Sequence, residues 1–261
     1  MRIARYWDAA ANGAKYGIVE GDRVRELAGN PYREIVKTSN TRPLAATQLL
    51  APCEPTKIIA GGANYHGHLK EIGLPVPTMP VFFLKPPTSL IGPDQPVIYP
   101  PETRKLEYEG ELAVVVKSPM RNTPPGEVLD NLLGYTCVDD VTARDIQAIG
   151  GNLLHLCHSK SFETFCPTGP WVETDLDAHS VDIELRINGE VRQPTTNTSD
   201  MIFPVEEMVS YFSRVMTLLP GDLILTGAPP GVGGMNVGDT VEIIIQGIGT
   251  LRHTVMAGAK L

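Results

Sequence analysis

The strongest chemical signal in this sequence is a set of three acidic side chains. The segment Leu106-Glu107-Tyr108-Glu109-Gly110-Glu111-Leu112-Ala113-Val114-Val115-Val116 reads as one strand. Its period of two places Glu109 and Glu111 on the face of Ala113 and Val115, with Leu112, Val114 and Val116 on the other. The far end is apolar on both faces, as in a strand buried on both sides. Two carboxylates at its entrance, about 7 Å apart by strand rise, repel each other unless a cation or hydrogen-bond donors intervene. A hard divalent ion meets that need, and an exposed acidic strand end is the alternative. Further on, Gly134-Tyr135-Thr136-Cys137-Val138 reads as a strand ending in Asp139-Asp140, after which Val141-Thr142-Ala143-Arg144-Asp145 starts a helix. Asp140 then either caps that helix or supplies a third oxygen. Three carboxylates suit Mg²⁺ or Mn²⁺ better than Zn²⁺, which prefers nitrogen and sulfur.

An acid–base pair stands in Asn64-Tyr65-His66-Gly67-His68-Leu69-Lys70-Glu71. If Asn64 caps a short helix, His68 and Glu71 fall at i and i+3, and the carboxylate orients the imidazole. A solvent-exposed helix start is the other reading. Lys85 and Lys160 each lie among apolar residues, where an ammonium can bind an anionic substrate or stabilise an enolate, or simply bury its stem and keep its head in water. His66, His68, His155 and His158 raise zinc, but no cysteine pair or H-E-x-x-H accompanies them. The glycine-rich loop 226–234 lacks the Gly-Lys-Ser/Thr of a phosphate cradle, and no G-x-S-x-G elbow occurs.

Strands must position these groups. Tyr16 to Glu20 and Arg23 to Leu27 flank Gly21-Asp22 as a hairpin, and the pattern loosens between Thr38 and Pro43. Residues 1–50 form a small β lobe and 51–261 the main domain. Prolines between 75 and 101 exclude a long helix there. Helices are expected over 125–133, over 204–218 and, briefly, from Arg144 to Ala148. Val181, Ile183, Leu185 and Ile187 alternate towards Asn188-Gly189, a hairpin signal, and 222–226 and 241–246 are β-branched runs. So few helices cannot link the strands of a parallel α/β sheet, so the fold class is mainly β.

Composition agrees. Twenty-three prolines and 25 glycines among 261 residues mark a turn-rich chain long enough for a sizeable core. A net charge of −8 argues against nucleic-acid and anionic-membrane partners. Four cysteines without a C-x-x-C pair, each in an apolar or aromatic setting, read as buried thiols of a reducing cytoplasm. No signal-peptide or membrane-span run is apparent.

From about Cys53 to His253 the chain resembles the fumarylacetoacetate hydrolase superfamily. The matching segments occur in the family's order: Asn64-Tyr65-x-x-His68-x-x-Glu71, Phe83-x-Lys85-Pro86, Tyr108-Glu109-x-Glu111-Leu112, and Gly134-Tyr135-Thr136 to Asp140-Val141-Thr142-Ala143-Arg144-Asp145. They continue with Lys160-Ser161-Phe162, Gly169-Pro170-Trp171, Asn188-Gly189-Glu190 and Leu219-Pro220-Gly221-Asp222. The resemblance implies a mixed β-sandwich roll behind a small N-terminal β lobe, assembled as a homodimer. It implies that Glu109, Glu111 and Asp140 hold Mg²⁺ or Mn²⁺, that His68 and Glu71 lie on a lid, and that Lys160 stands near the reacting carbonyl. Arg144, Gln147 and Thr226 match substrate-binding positions, and Lys85 is a further candidate for the anionic substrate. Thr226-Gly227-Ala228-Pro229 replaces the family's common Thr-Gly-Thr-Pro, and His155 to Ser159 replaces a frequent tryptophan and glycine; both departures bear on substrate identity. The implied activity is metal-dependent hydrolysis of the C–C bond of a 2,4-dioxo acid. Decarboxylation or tautomerisation of a 2-oxo or 2-hydroxy-dienoic diacid is the alternative.

Overall fold

The computed structural model describes residues 1–151 and 153–259. Its architecture is a mixed β-sandwich roll with few helices. In the larger sheet, Gly110–Val116 runs between Leu132–Asp139 and Leu223–Leu225 and is antiparallel to both; Ile58–Gly62 and the edge strand Val81–Lys85 follow on one side. On the other side come Cys166–Glu173 and then the N-terminal strands Arg2–Asp8, Gly13–Glu20, Arg23–Leu27 and Lys37–Pro43. The N-terminal strands thus extend the same sheet, through Ile3 opposite Val172. A five-stranded sheet, containing Asp182–Ile187, Glu190–Asn197, Thr240–Ile245 and Gly249–Ala257, packs against it.

The alternation of Gly110–Val116 explains this layering. Leu112, Val114 and Val116 join one core with Leu185, Ile243 and Leu251 of the second sheet. Ala113 and Val115 join another with Ile3, Ile18, Cys53 and Val172. Each fully buried aliphatic side chain contributes about 1.5–3 kcal/mol, so this strand is anchored from both faces. Among the described residues, no helix is long and apolar enough to cross a membrane.

Several local expectations change. The strand over 106–116 is broken at Glu109 into Leu106–Tyr108 and Gly110–Val116, which pair with different neighbours. The helix expected over 125–133 stops after a turn of α-helix and a turn of 3₁₀, because Leu132 and Leu133 belong to the strand Leu132–Asp139. Helix Val205–Val215 ends three residues early. The stretch expected to loosen is the edge strand Lys37–Pro43. Asn64 does not cap the helix His66–Ile72; Tyr65 stands at that position without a side-chain bond. Asn64 is buried, and its amide bonds Phe203 and Thr226 carbonyls and the Phe203 N–H, tying the helix entry to the core. Cys157 is exposed, whereas Cys53, Cys137 and Cys166 are buried, and all four are free thiols.

Candidate metal centre and active-site cavity

The break at Glu109 brings acidic groups from two segments together. Gly110–Val116 carries Glu111, the break itself carries Glu109, and Asp140 follows the end of the adjoining strand, where its N–H donates to the Glu109 carbonyl (2.9 Å). One carboxylate oxygen from each of Glu109, Glu111 and Asp140 lies within 4.8 Å of the others, and all three residues are buried. The capping reading of Asp140 falls: the helix Arg144–Gln147 begins after Ala143, and the Asp140 carboxylate faces two lysines.

Three cations surround the cluster. Lys160 Nζ sits 2.7 Å from Glu109 Oε2 and 2.5 Å from Asp140 Oδ2. Lys85 donates to Asp140 Oδ1, and Arg144 bridges Glu109 and Glu107. Burial pushes the Glu109 carboxyl up, but Lys160 and Arg144 outweigh it and hold the group at about 2. Burial likewise pulls the Lys160 ammonium down, and Asp140 and Glu109 reverse that and raise it. Glu111 differs: burial and the charges of Asp140 and Glu109 drive it well above the usual carboxylate range. Its Oε2 accepts the Gly227 N–H (2.7 Å), while Oε1 is buried without a hydrogen-bond partner. An orphaned carboxylate oxygen in an all-oxygen, triply acidic pocket fits a hard divalent cation.

Above the cluster opens a cavity of about 460 Å³. Glu109, Asp140, Lys160, Arg144 and Gln147 form its polar side, His68 and Glu71 of the helix His66–Ile72 stand across it, and Val81 and Phe83 of the edge strand and Val232 of the glycine-rich loop add apolar walls. His68 Nδ1 faces Glu71 Oε2 at 3.4 Å, and the Glu71 carboxylate also accepts the Gly231 N–H. Seven of the sequence candidates line this cavity and three do not: Glu111 belongs to the carboxylate cluster but is buried beneath the lining, and two others stand away from the site. Thr226 is buried and gives its hydroxyl to the Leu112 carbonyl (2.8 Å), so it does not reach the cavity. Lys85 lies behind Asp140 rather than facing the cavity.

Four further residues escaped sequence reasoning. Glu107 and Lys105 line the cavity, and Glu107 pairs with both Lys105 and Arg144. His253 and Gln193 are buried in the second sheet; His253 bonds the Asp139 carboxylate, and Gln193 bonds the main chain of Gly110, between Glu109 and Glu111. His253 alternates inward with Leu251 and Val255, so the available signal was a polar residue on an apolar beat.

Fold and site define a β-sandwich protein with a buried carboxylate cluster beneath a small, charged cavity. The chain belongs to the fumarylacetoacetate hydrolase family: residues 57–256 match the fumarylacetoacetate (FAA) hydrolase C-terminal family, and residues 1–52 match the Rv2993c-like, N-terminal family. It is 42% identical to Protein Rv2993c of Mycobacterium tuberculosis over the whole of both chains. It is 37% identical to bovine Oxaloacetate tautomerase FAHD2A, mitochondrial, over 82% of this chain and 71% of that one. Among solved structures, 5-carboxymethyl-2-hydroxymuconate delta-isomerase from Mycobacterium smegmatis superposes with a TM-score of 0.90 at 40% identity, covering 99% and 100% of the two chains. Maleylpyruvate hydrolase from Sphingobium sp. SYK-6, in complex with manganese(II) ion and pyruvate, gives 0.81 at 30% identity with the same coverage.

Proposed function

We propose that this enzyme, with Mg²⁺ or Mn²⁺ bound, catalyses keto–enol proton transfer on a small 2-oxo dicarboxylic acid. The observation that carries this reading is the charge balance of the cavity floor. Three carboxylates, Glu109, Glu111 and Asp140, face three cations, Lys85, Arg144 and Lys160. Glu71 and Glu107 add two negative charges to the same site and Lys105 one positive, so a divalent ion held by the carboxylates would leave it net positive, which suits an anionic acid substrate. The relatives named tautomerase and isomerase support the same direction.

Glu109, Glu111 and Asp140 would hold the ion, which when bound polarises the 2-oxo group and so acidifies the neighbouring carbon. His68 takes the proton from that carbon. Glu71 lies against Nδ1, which leaves Nε2 for the transfer. The C–H electron pair becomes the C2–C3 double bond, the C2 carbonyl π pair moves onto its oxygen, which takes up a proton from water, and His68 returns the proton it took to solvent. Arg144, Gln147 and Lys105 line the wall where the distal carboxylate binds.

Hydrolysis of a 2,4-dioxo acid is the second reading, supported by the neighbour named maleylpyruvate hydrolase and by the same His68–Glu71 pair. It needs a donor for the oxyanion that forms at the attacked carbonyl. Lys160, expected in that role, is held between Glu109 and Asp140, which favours tautomerisation. Oxaloacetate and a panel of acylpyruvates, each with Mg²⁺, decide the matter by ultraviolet absorbance of the enol and proton NMR. The expected result is faster keto–enol equilibration of oxaloacetate with no new product. Efficient formation of pyruvate and a carboxylic acid from an acylpyruvate would make the enzyme a hydrolase, and pyruvate from oxaloacetate would make it a decarboxylase.

A further inference from the structure

We propose that Gln193 and the Asp139–His253 pair are positioning residues that set the spacing of Glu109 and Glu111 from the opposite sheet. The proposal rests on the reading of these carboxylates as cation ligands. The strand break leaves main-chain groups near Glu109 in need of partners, and each finds one of defined geometry. The Glu109 N–H donates to Asp139 Oδ1 (2.8 Å), and the other Asp139 oxygen accepts His253 Nε2–H (2.8 Å). Gln193 takes both main-chain groups of Gly110: Oε1 accepts its N–H (3.2 Å) and Nε2 donates to its carbonyl (2.8 Å). The residue between the two glutamates is therefore clamped on one side, and the residue bearing the first glutamate on the other.

Both outer anchors come from the five-stranded sheet. Gln193 lies on Glu190–Asn197, and His253 lies on Gly249–Ala257. Gly110 permits the reach, because a Cβ there would stand 3.0 Å from Leu185 Cδ1 and 3.2 Å from Ile243 Cγ1. Gln193, Asp139 and His253 are all fully buried, on strands whose neighbouring inward positions, such as Leu251 and Val255, belong to the apolar core. Apolar residues would pack that layer without any need for hydrogen-bond partners. His253 Nδ1 is itself left without a partner, so the imidazole is not there to satisfy its own surroundings. What the three polar groups do jointly is fix the main chain from which two ligands project, and ligand placement of this kind governs metal affinity.

The test is Mn²⁺ affinity, read by electron paramagnetic resonance titration, alongside kcat and KM on the same samples. His253→Leu and Gln193→Leu are each expected to weaken Mn²⁺ binding about 10–100-fold, with kcat falling more than KM rises. His253→Gln, whose amide nitrogen takes the place of Nε2 and still donates to Asp139, is expected to recover affinity to within about threefold of wild type. Glu111→Gln serves as the ligand control. If Glu111→Gln loses Mn²⁺ while both leucine variants bind normally and merely melt earlier, the two residues only fill the core and the proposal is wrong. If Glu111→Gln also binds normally, the cation-ligand reading fails and takes the proposal with it. Where His253→Leu does not fold, Gln193→Met carries the same comparison.

Discussion

Two cavities of nearly equal size, about 460 and 480 Å³, differ in what converges on them. The first places Glu109, Asp140 and Lys160, all buried, against each other and against Arg144. The second is lined by Leu129, Leu176, Met201 and Val205, and its charged groups sit in partial contact with solvent. His179 and Glu206 there are 3.7 Å apart, with side chains 54% and 23% exposed. Glu206 also lies in the first turn of Val205–Val215, where a negative charge is favoured without a ligand. Equal volume thus goes with unequal chemistry. Ions held out of water must be compensated by named partners, and only the first cavity builds such a set.

The contrast can be broken by experiment. The largest effect is expected from Glu111→Gln, which keeps the acceptor for the Gly227 N–H and relieves repulsion with Asp140 and Glu109, so the fold should survive while divalent-ion binding and turnover fall to background; calorimetric titration with Mn²⁺ and an activity assay check both. Chelation of the wild-type enzyme should give the same loss, reversed by Mg²⁺ or Mn²⁺, and activity that persists at full chelation would remove the ion from the reaction. His68→Ala should cost about 10²–10⁴ in kcat and leave Mn²⁺ affinity unchanged, which separates proton transfer from ion binding. His179→Ala, in the second cavity, should change kcat/KM by less than about twofold and stability by less than about 0.5 kcal/mol. A large loss there would mean that the second cavity takes part in function.

The acidic cluster was legible in the chain because its members obey local rules. Glu111 keeps the period-two face shared with Ala113 and Val115, and Asp140 follows a strand whose end the pattern marks. The break at Glu109 was not legible, since Leu106–Tyr108 and Gly110–Val116 have one continuous strand pattern and diverge only because they pair with different partners. Likewise, Leu132 and Leu133 fit a helical stripe as well as a strand start, and pairing along Gly110–Val116 decided for the strand. Thr226 shows the limit of positional matching, because its hydroxyl is committed to a main-chain carbonyl across the sheet.

By itself the sequence determined a mainly β protein, the three carboxylates and the His68–Glu71 spacing, all of which follow from periodicity and residue chemistry within short windows. Only the tertiary structure decided which cations balance those carboxylates, that Lys85 and Thr226 stand away from the cavity, and that from the opposite sheet Gln193 reaches Gly110 and His253 reaches Asp139. The physical reason is that charge compensation and main-chain bracing act between residues far apart in the chain, and their partners exist only once the two sheets have packed.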